Sequence, residues 1–183
     1  MQNRIKIAFL DFSHIFAGAE RMLYNVISNI DKNKYDPILL FPYPMEHQQN
    51  YVSLECETIY LNPSLEWWMG SDRWKHPWRG TDFLKRSIFG FQIAKIIKKH
   101  NIDILDVNLM RNDIKMWVWA TKKFTSAKII GHYRSHEQGF IPPASSQRLF
   151  DLVACVSKFS KQCFQKKGFL QTVSFYMILS ILI

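Results

Sequence analysis

Cysteine is scarce in this 183-residue chain: Cys56, Cys155 and Cys163 are the only three, an odd number with no C-x-x-C pair. That excludes a disulfide framework and fits a reducing compartment, with Cys155 as a small core residue. Glycine is sparse too, and its seven copies form neither G-x-G-x-x-G nor a Walker A loop, which removes the two commonest phosphate-cradling signatures. There is no D-x-D motif to hold a metal-bound nucleotide. No G-x-S-x-G elbow supports a serine nucleophile, and no carboxylate pair has the spacing of a hydrolase. Long apolar runs are missing as well. The stretch from Phe169 to Ile183 carries no charge, but it falls short of the roughly 17–20 residues that a spanning helix needs. Near the start, Asp11 interrupts the apolar run from Ile5 to Phe12, so this region reads as a first strand and not as a signal peptide.

Acidic residues are the other shortage. Fifteen Asp and Glu face 24 Lys and Arg, a net charge of +9. Such a surplus favours anionic partners: nucleic acid, phosphorylated sugars or the anionic face of a membrane. The lysines are spread over helices (Lys95, Lys98, Lys99, Lys122, Lys123) and are not interleaved with an aromatic strand face, which argues against nucleic acid. With 48% hydrophobic and 15% aromatic residues, one well-filled domain is readily built.

Periodicity supplies the architecture. A mostly apolar strand at Ile5–Leu10 leads into a helix over Gly18–Asp31, whose Met22, Leu23, Val26, Ile27 and Ile30 share a face. Strands follow at Ile38–Phe41, after Pro37, and at Thr58–Leu61. A helix ends near His100, with Leu84, Ile88, Phe91, Ala94 and Ile97 on one side. Then come a strand at Asp103–Val107, a helix at Ile114–Phe124, and strands at Lys128–His132 and Leu152–Val156. A last helix is N-capped by Ser157 and stops at Gly168. This alternation predicts an α/β fold: a parallel sheet with helices on both faces. The domain spans residues 1–168, followed by an apolar tail, 169–183.

Ligands of open α/β sheets bind beyond the carboxyl ends of the strands, and three segments fall there. In Ser13-His14-Ile15-Phe16-Ala17-Gly18, Gly18 permits close backbone approach and the helix start offers N–H groups to an anion; the alternative is a plain strand–helix turn. In His132-Tyr133-Arg134-Ser135-His136-Glu137, His132 can polarise a hydroxyl and Arg134 can clamp an anion; the alternative for His132 is a hydrogen-bonded core histidine. His132 and His136 are four apart, but on a strand and loop this does not make a metal pair, and no metal or cofactor is expected. Ser157, with Lys158 and Lys161, is either a phosphate binder or an ordinary helix cap. The long stretch Asn62–Gly80 sets Trp67, Trp68 and Trp74 beside Arg73, which suits a membrane-facing or acceptor-facing loop; the alternative is that these rings cover the sheet.

Taken in order, Ala17-Gly18-Ala19-Glu20-Arg21, Tyr35-Asp36, Ile129-Ile130-Gly131-His132 and Asp151-Leu152-Val153-Ala154-Cys155-Val156-Ser157 resemble the amino-terminal domain of family 4 glycosyltransferases. Those are retaining enzymes built from two facing Rossmann-like domains, the GT-B fold. The family has Gly-Gly where this chain has Ala17-Gly18. The resemblance implies transfer of a sugar from a nucleotide-sugar donor to a glycan or lipid-linked acceptor, without metal. It places Ala17 and Gly18 against donor phosphates and acceptor, His132 near the transferred sugar as the catalytic side chain, and Arg134 and Ser157 on anionic parts of the substrate. Beside the resemblance, the cysteines and the tryptophan-rich stretch give the expectation of a cytoplasmic protein that meets the inner face of the membrane. The family continues into a second, donor-binding domain, so the expectation is a chain cut short near Phe169 and inactive alone. The competing reading is a non-catalytic basic module for membrane surfaces or nucleic acid.

Overall fold

The computed structural model describes residues 4–13, 15–61, 79–110, 115–133, 148–166 and 172–174. Strand β1 (Ile5–Leu10) feeds helix α1 (Gly18–Asn29) and strand β2 (Tyr35–Phe41). A 3₁₀ helix (Glu46–Leu54) leads to β3 (Glu57–Tyr60). Helix α2 (Arg79–His100), β4 (Ile104–Val107), helix α3 (Lys115–Phe124) and β5 (Lys128–Tyr133) follow. Strand β6 (Leu152–Cys155), helix α4 (Lys158–Lys166) and β7 (Thr172–Ser174) complete the order. Seven parallel strands form one sheet in the order β3-β2-β1-β4-β5-β6-β7. This is the expected Rossmann-like sheet.

Strand alternation splits the core in two. On one face, Ala8, Leu10, Leu105, Val107 and Ile129 pack under Phe89, Ile93 and Ile97 of α2, Trp117 and Val118 of α3, and Phe164 of α4. On the other, Ile7, Phe9, Leu39 and Phe41 meet Leu23, Val26 and Ile27 of α1, with Tyr51 and Leu54 of the 3₁₀ helix. Each β1 residue thus sends its side chain to the face opposite its neighbour's, the period of two that a doubly covered sheet demands.

Local chemistry explains the boundaries. Helix α2 stops where Asn101 takes φ 52. The Asn101 N–H donates to the Lys98 carbonyl (3.3 Å) and the Ile102 N–H to the Ile97 carbonyl (3.0 Å), a left-handed termination that buries Ile102. Strand β2 begins two residues before Pro37, earlier than the sequence suggests. The Leu40 carbonyl bonds the Asp11 N–H and the Phe41 carbonyl bonds the Leu61 N–H, so even-numbered residues of β2 face β1 and odd-numbered ones face β3. Pro37 therefore faces the β3 side, where pairing begins only at Ile38, and its missing donor costs no ladder bond.

Two elements escaped the sequence reading. The 3₁₀ helix Glu46–Leu54 has little amphipathic pattern, and its end is set by Glu55 in the left-handed region (φ 51). Strand β7, pairing Val173 with Ala154, carries the parallel order beyond Gly168, into what reads from sequence as an undifferentiated apolar tail.

Candidate functional site

After β3 the chain crosses beyond β1 to build β4, so the sheet's switch point lies between β1 and β4. A crevice opens outside the carboxyl ends of such strands. Polar side chains collect there although the surroundings are apolar: Asp11, Glu20, His47, Asp106, Asn108 and His132 are all buried.

Asp11, directly after β1, is nearly solvent-free. Its Oδ1 accepts the Ser13 N–H at 3.1 Å and its Oδ2 accepts the Tyr51 hydroxyl at 3.0 Å. His47 Nε2 stands 3.5 Å from the same Oδ2 but lacks hydrogen-bond alignment. Glu20, on the first turn of α1, reaches back so that Oε2 accepts the Ala17 N–H at 2.9 Å. This is half of a capping box, since Ala17 offers no side-chain oxygen in return. Two buried carboxylates thereby pin the β1–α1 loop at Ser13 and Ala17. Gly18 opens the helix directly after the second anchor, and among the described residues a Cβ built on it meets nothing within 4 Å. Among the described residues nothing therefore crowds the Cα of Gly18, at the end where a helix's first N–H groups lack partners inside the helix.

His132, near the end of β5, points to the same face as α1. Its Nε2 lies 2.7 Å from Asp106 Oδ2 on β4, with 4% of each side chain exposed. Strand pairing explains the meeting: Asp106 is level with Ile130, two residues before His132 and on the same side of the pleat. Such a carboxylate orients the imidazole and fixes which nitrogen carries the proton. Gly131 is needed beside it, since a Cβ there would lie 2.6 Å from Met110 Sδ and 2.9 Å from Phe150 Cδ1.

Ser157 caps α4. Its Oγ accepts the Ser160 N–H at 3.0 Å and touches Ser160 Oγ at 2.9 Å. Asp151, ahead of β6, takes the Ile129 N–H (2.9 Å) and Lys122 Nζ (2.8 Å) on Oδ2. Burial acts to raise its pKa, but the Lys122 and Ile129 bonds and the charge of Lys128 prevail and hold it below the ordinary value. Cys155 is inert core: burial pushes its thiol up to about 11. Among the described residues no group of His, Cys, Asp and Glu is arranged to hold a metal, and no helix is long and apolar enough to cross a membrane.

Of the residues singled out from sequence, Ala17, Gly18 and His132 share the carboxyl end of the sheet, and Ser157 begins the helix that follows β6. Arg134 and the segment holding Trp67, Trp68, Arg73 and Trp74 lie outside the described residues, as do His14 and His136. The sequence reading passed over Asp106 and His47 and took Asp11 only as a break in an apolar run. The available signal was an acid near the end of a buried strand, as in Phe-Leu-Asp11 and Ile-Leu-Asp106.

No protein-family model matches the sequence, and no curated protein does either. Solved structures do match in fold. A glycosyltransferase from Rickettsia africae superposes with a TM-score of 0.61 at 20% identity, over 94% of this chain and 43% of that one. HepE from Anabaena, in complex with UDP and glucose, gives 0.58 at 16% identity, over 93% and 44%. The lipopolysaccharide outer core galactosyltransferase WaaB gives 0.62 at 13% identity, over 92% and 44%. UDP-N-acetylglucosamine 2-epimerases share the same arrangement. The chain thus has the fold of one Rossmann-like half of a GT-B protein and spans less than half the length of these proteins.

Proposed function

We propose that this chain is the acceptor-side half of a family 4, retaining glycosyltransferase that moves a sugar from a nucleotide-sugar donor to a glycan or lipid-linked acceptor. One observation carries the reading: the buried Asp106–His132 pair on β4 and β5 and the start of α1 at Gly18 both adjoin the sheet's switch point between β1 and β4. Similar half-folds belong to proteins solved with UDP and with glucose, which supports a nucleotide sugar as the ligand class. The motif Ala17-Gly18-Ala19-Glu20-Arg21 favours a transferase over an epimerase.

In this reading the first-turn N–H groups at Ala17–Gly18 receive phosphate charge, with the helix dipole adding to the attraction. The His132 ring, held by Asp106, lies against the sugar being transferred and stabilises charge that develops there. Arg134 holds an anionic part of the substrate, while Ser157, whose hydroxyl caps α4, supports the start of that helix. No cofactor or metal is invoked. The tryptophan-rich segment with Trp67, Trp68, Arg73 and Trp74 approaches a lipid-linked acceptor at the cytoplasmic membrane face. Retention of configuration depends on groups supplied by a second domain.

The test is transfer from radiolabelled UDP-sugars, by the 183-residue chain and by a two-domain form in which a donor-binding Rossmann domain follows it. Holding donor and acceptor together across two domains accounts for roughly 7–11 kcal/mol of barrier. The reading therefore expects turnover only in the two-domain form, and strong loss there in His132→Ala. Robust turnover by the chain alone would place the donor site within this chain and overturn the reading.

A further inference from the structure

The outer surface of α2 and α3, remote in role from the switch-point crevice, carries an aromatic cluster open to solvent. Phe91 is 48% exposed and Phe124 is 41% exposed. Their rings stack at 5.7 Å, and the Trp119 ring meets them at 5.0 Å and 5.9 Å. Contiguous exposed aromatic surface on a folded domain marks something that covers it.

The rim of this patch has one sign of charge. Lys95 and Lys98 border the same shallow hollow as Phe91 and Phe124. Phe91, Lys95 and Lys98 stand at i, i+4 and i+7, hence on one stripe of α2. Lys123 Nζ sits 5.5 Å from the centre of the Phe124 ring. Neither 83–100 nor 115–124 contains a single Asp or Glu. The acid Asp151 is already engaged by Lys122 and Lys128.

We propose that this α2–α3 face docks the protein on an anionic lipid bilayer, with Phe91, Trp119 and Phe124 entering the interfacial zone while Lys95, Lys98 and Lys123 meet lipid phosphates. Aromatic rings framed by lysines on one helical face are the chemistry that binds such surfaces. A second copy of the chain is a poorer occupant, because a two-fold contact would bring each lysine cluster against its own image. The inference stands without the transferase reading, since lipid binding requires no sugar chemistry.

Co-sedimentation of the 183-residue chain with vesicles decides it, using phosphatidylcholine alone and phosphatidylcholine with phosphatidylglycerol. The protein binds the second and not the first, and binding weakens as salt rises. F91S/F124S and K95E/K98E each weaken binding to the anionic vesicles by at least about tenfold. The lysine variant changes only exposed side chains, so it remains informative if the aromatic variant folds poorly, which a thermal melt detects. Wild-type binding in K95E/K98E, no binding of the unaltered chain to anionic vesicles, or a dimer that F91S/F124S dissociates would each overturn the proposal.

Discussion

Asp106 Oδ2 and His132 Nε2 meet at 2.7 Å between neighbouring parallel strands, with 4% of either side chain exposed. Nothing about strand packing requires a carboxylate and an imidazole there, since both positions lie among apolar residues of the α1 face. Asp106→Ala should lower stability by about 1–3 kcal/mol, because it strips a buried ring of a charged partner. Urea unfolding of the two single variants and the double variant measures the coupling. Two contacting residues should show at least about 0.5 kcal/mol of non-additivity, and additive losses would mean the pair is not acting as a unit.

Two glycines should separate structure from site. Gly131→Ala places a methyl group 2.6 Å from Met110 Sδ and 2.9 Å from Phe150 Cδ1, and overpacking of this kind costs about 1–3 kcal/mol. Gly18→Val places its side chain in open space, so its melting temperature should stay near that of the unaltered chain. In the two-domain form Gly18→Val should nevertheless impair transfer, as phosphate can no longer approach the backbone. A large stability loss in Gly18→Val would remove that inference.

Asp151 links stability to pH. Its folded-state pKa lies below the ordinary value, so it contributes stability above the ordinary carboxylate range. That contribution is lost as pH falls through the depressed folded value. Asp151→Asn should therefore melt lower than the unaltered chain near neutral pH, and the gap should shrink in acid. Melting curves across this range check it, and a gap that grows on acidification would contradict the assignment.

Ser157→Ala removes the acceptor of the Ser160 N–H, a bond of 3.0 Å. The expected cost is about 0.5–2 kcal/mol of stability. Transfer by the two-domain form should fall far less than in His132→Ala, as the hydroxyl is committed to the cap. Comparable losses of kcat in both would instead give Ser157 a direct substrate role.

The parallel sheet was legible because each element announces itself locally. Met22, Leu23, Val26 and Ile27 sit at helical spacing, and the strands are short apolar runs. The 3₁₀ helix was not legible, since its buried residues His47, Tyr51 and Leu54 follow neither the strand nor the helix period. Strand β7 was hidden for another reason: Thr172-Val173-Ser174 is too short and too mildly apolar to stand out until β6 is there to pair with it. At the candidate site, the places of Gly18 and His132 at element ends could be read from the sequence. Their supports could not, because Asp106 joins His132 from 26 residues away and Tyr51 joins Asp11 from 40 residues away. Such partnerships depend on strand order, which a local pattern does not encode.

The claim that a nucleotide sugar meets the switch point of this domain is tested most directly by amide chemical shifts of the two-domain form titrated with a UDP-sugar. Within this domain the account predicts perturbations concentrated at Ala17, Gly18 and Ala19 on the first turn of α1 and around His132 at the end of β5. Perturbations elsewhere on the domain, or none at millimolar ligand, would contradict it.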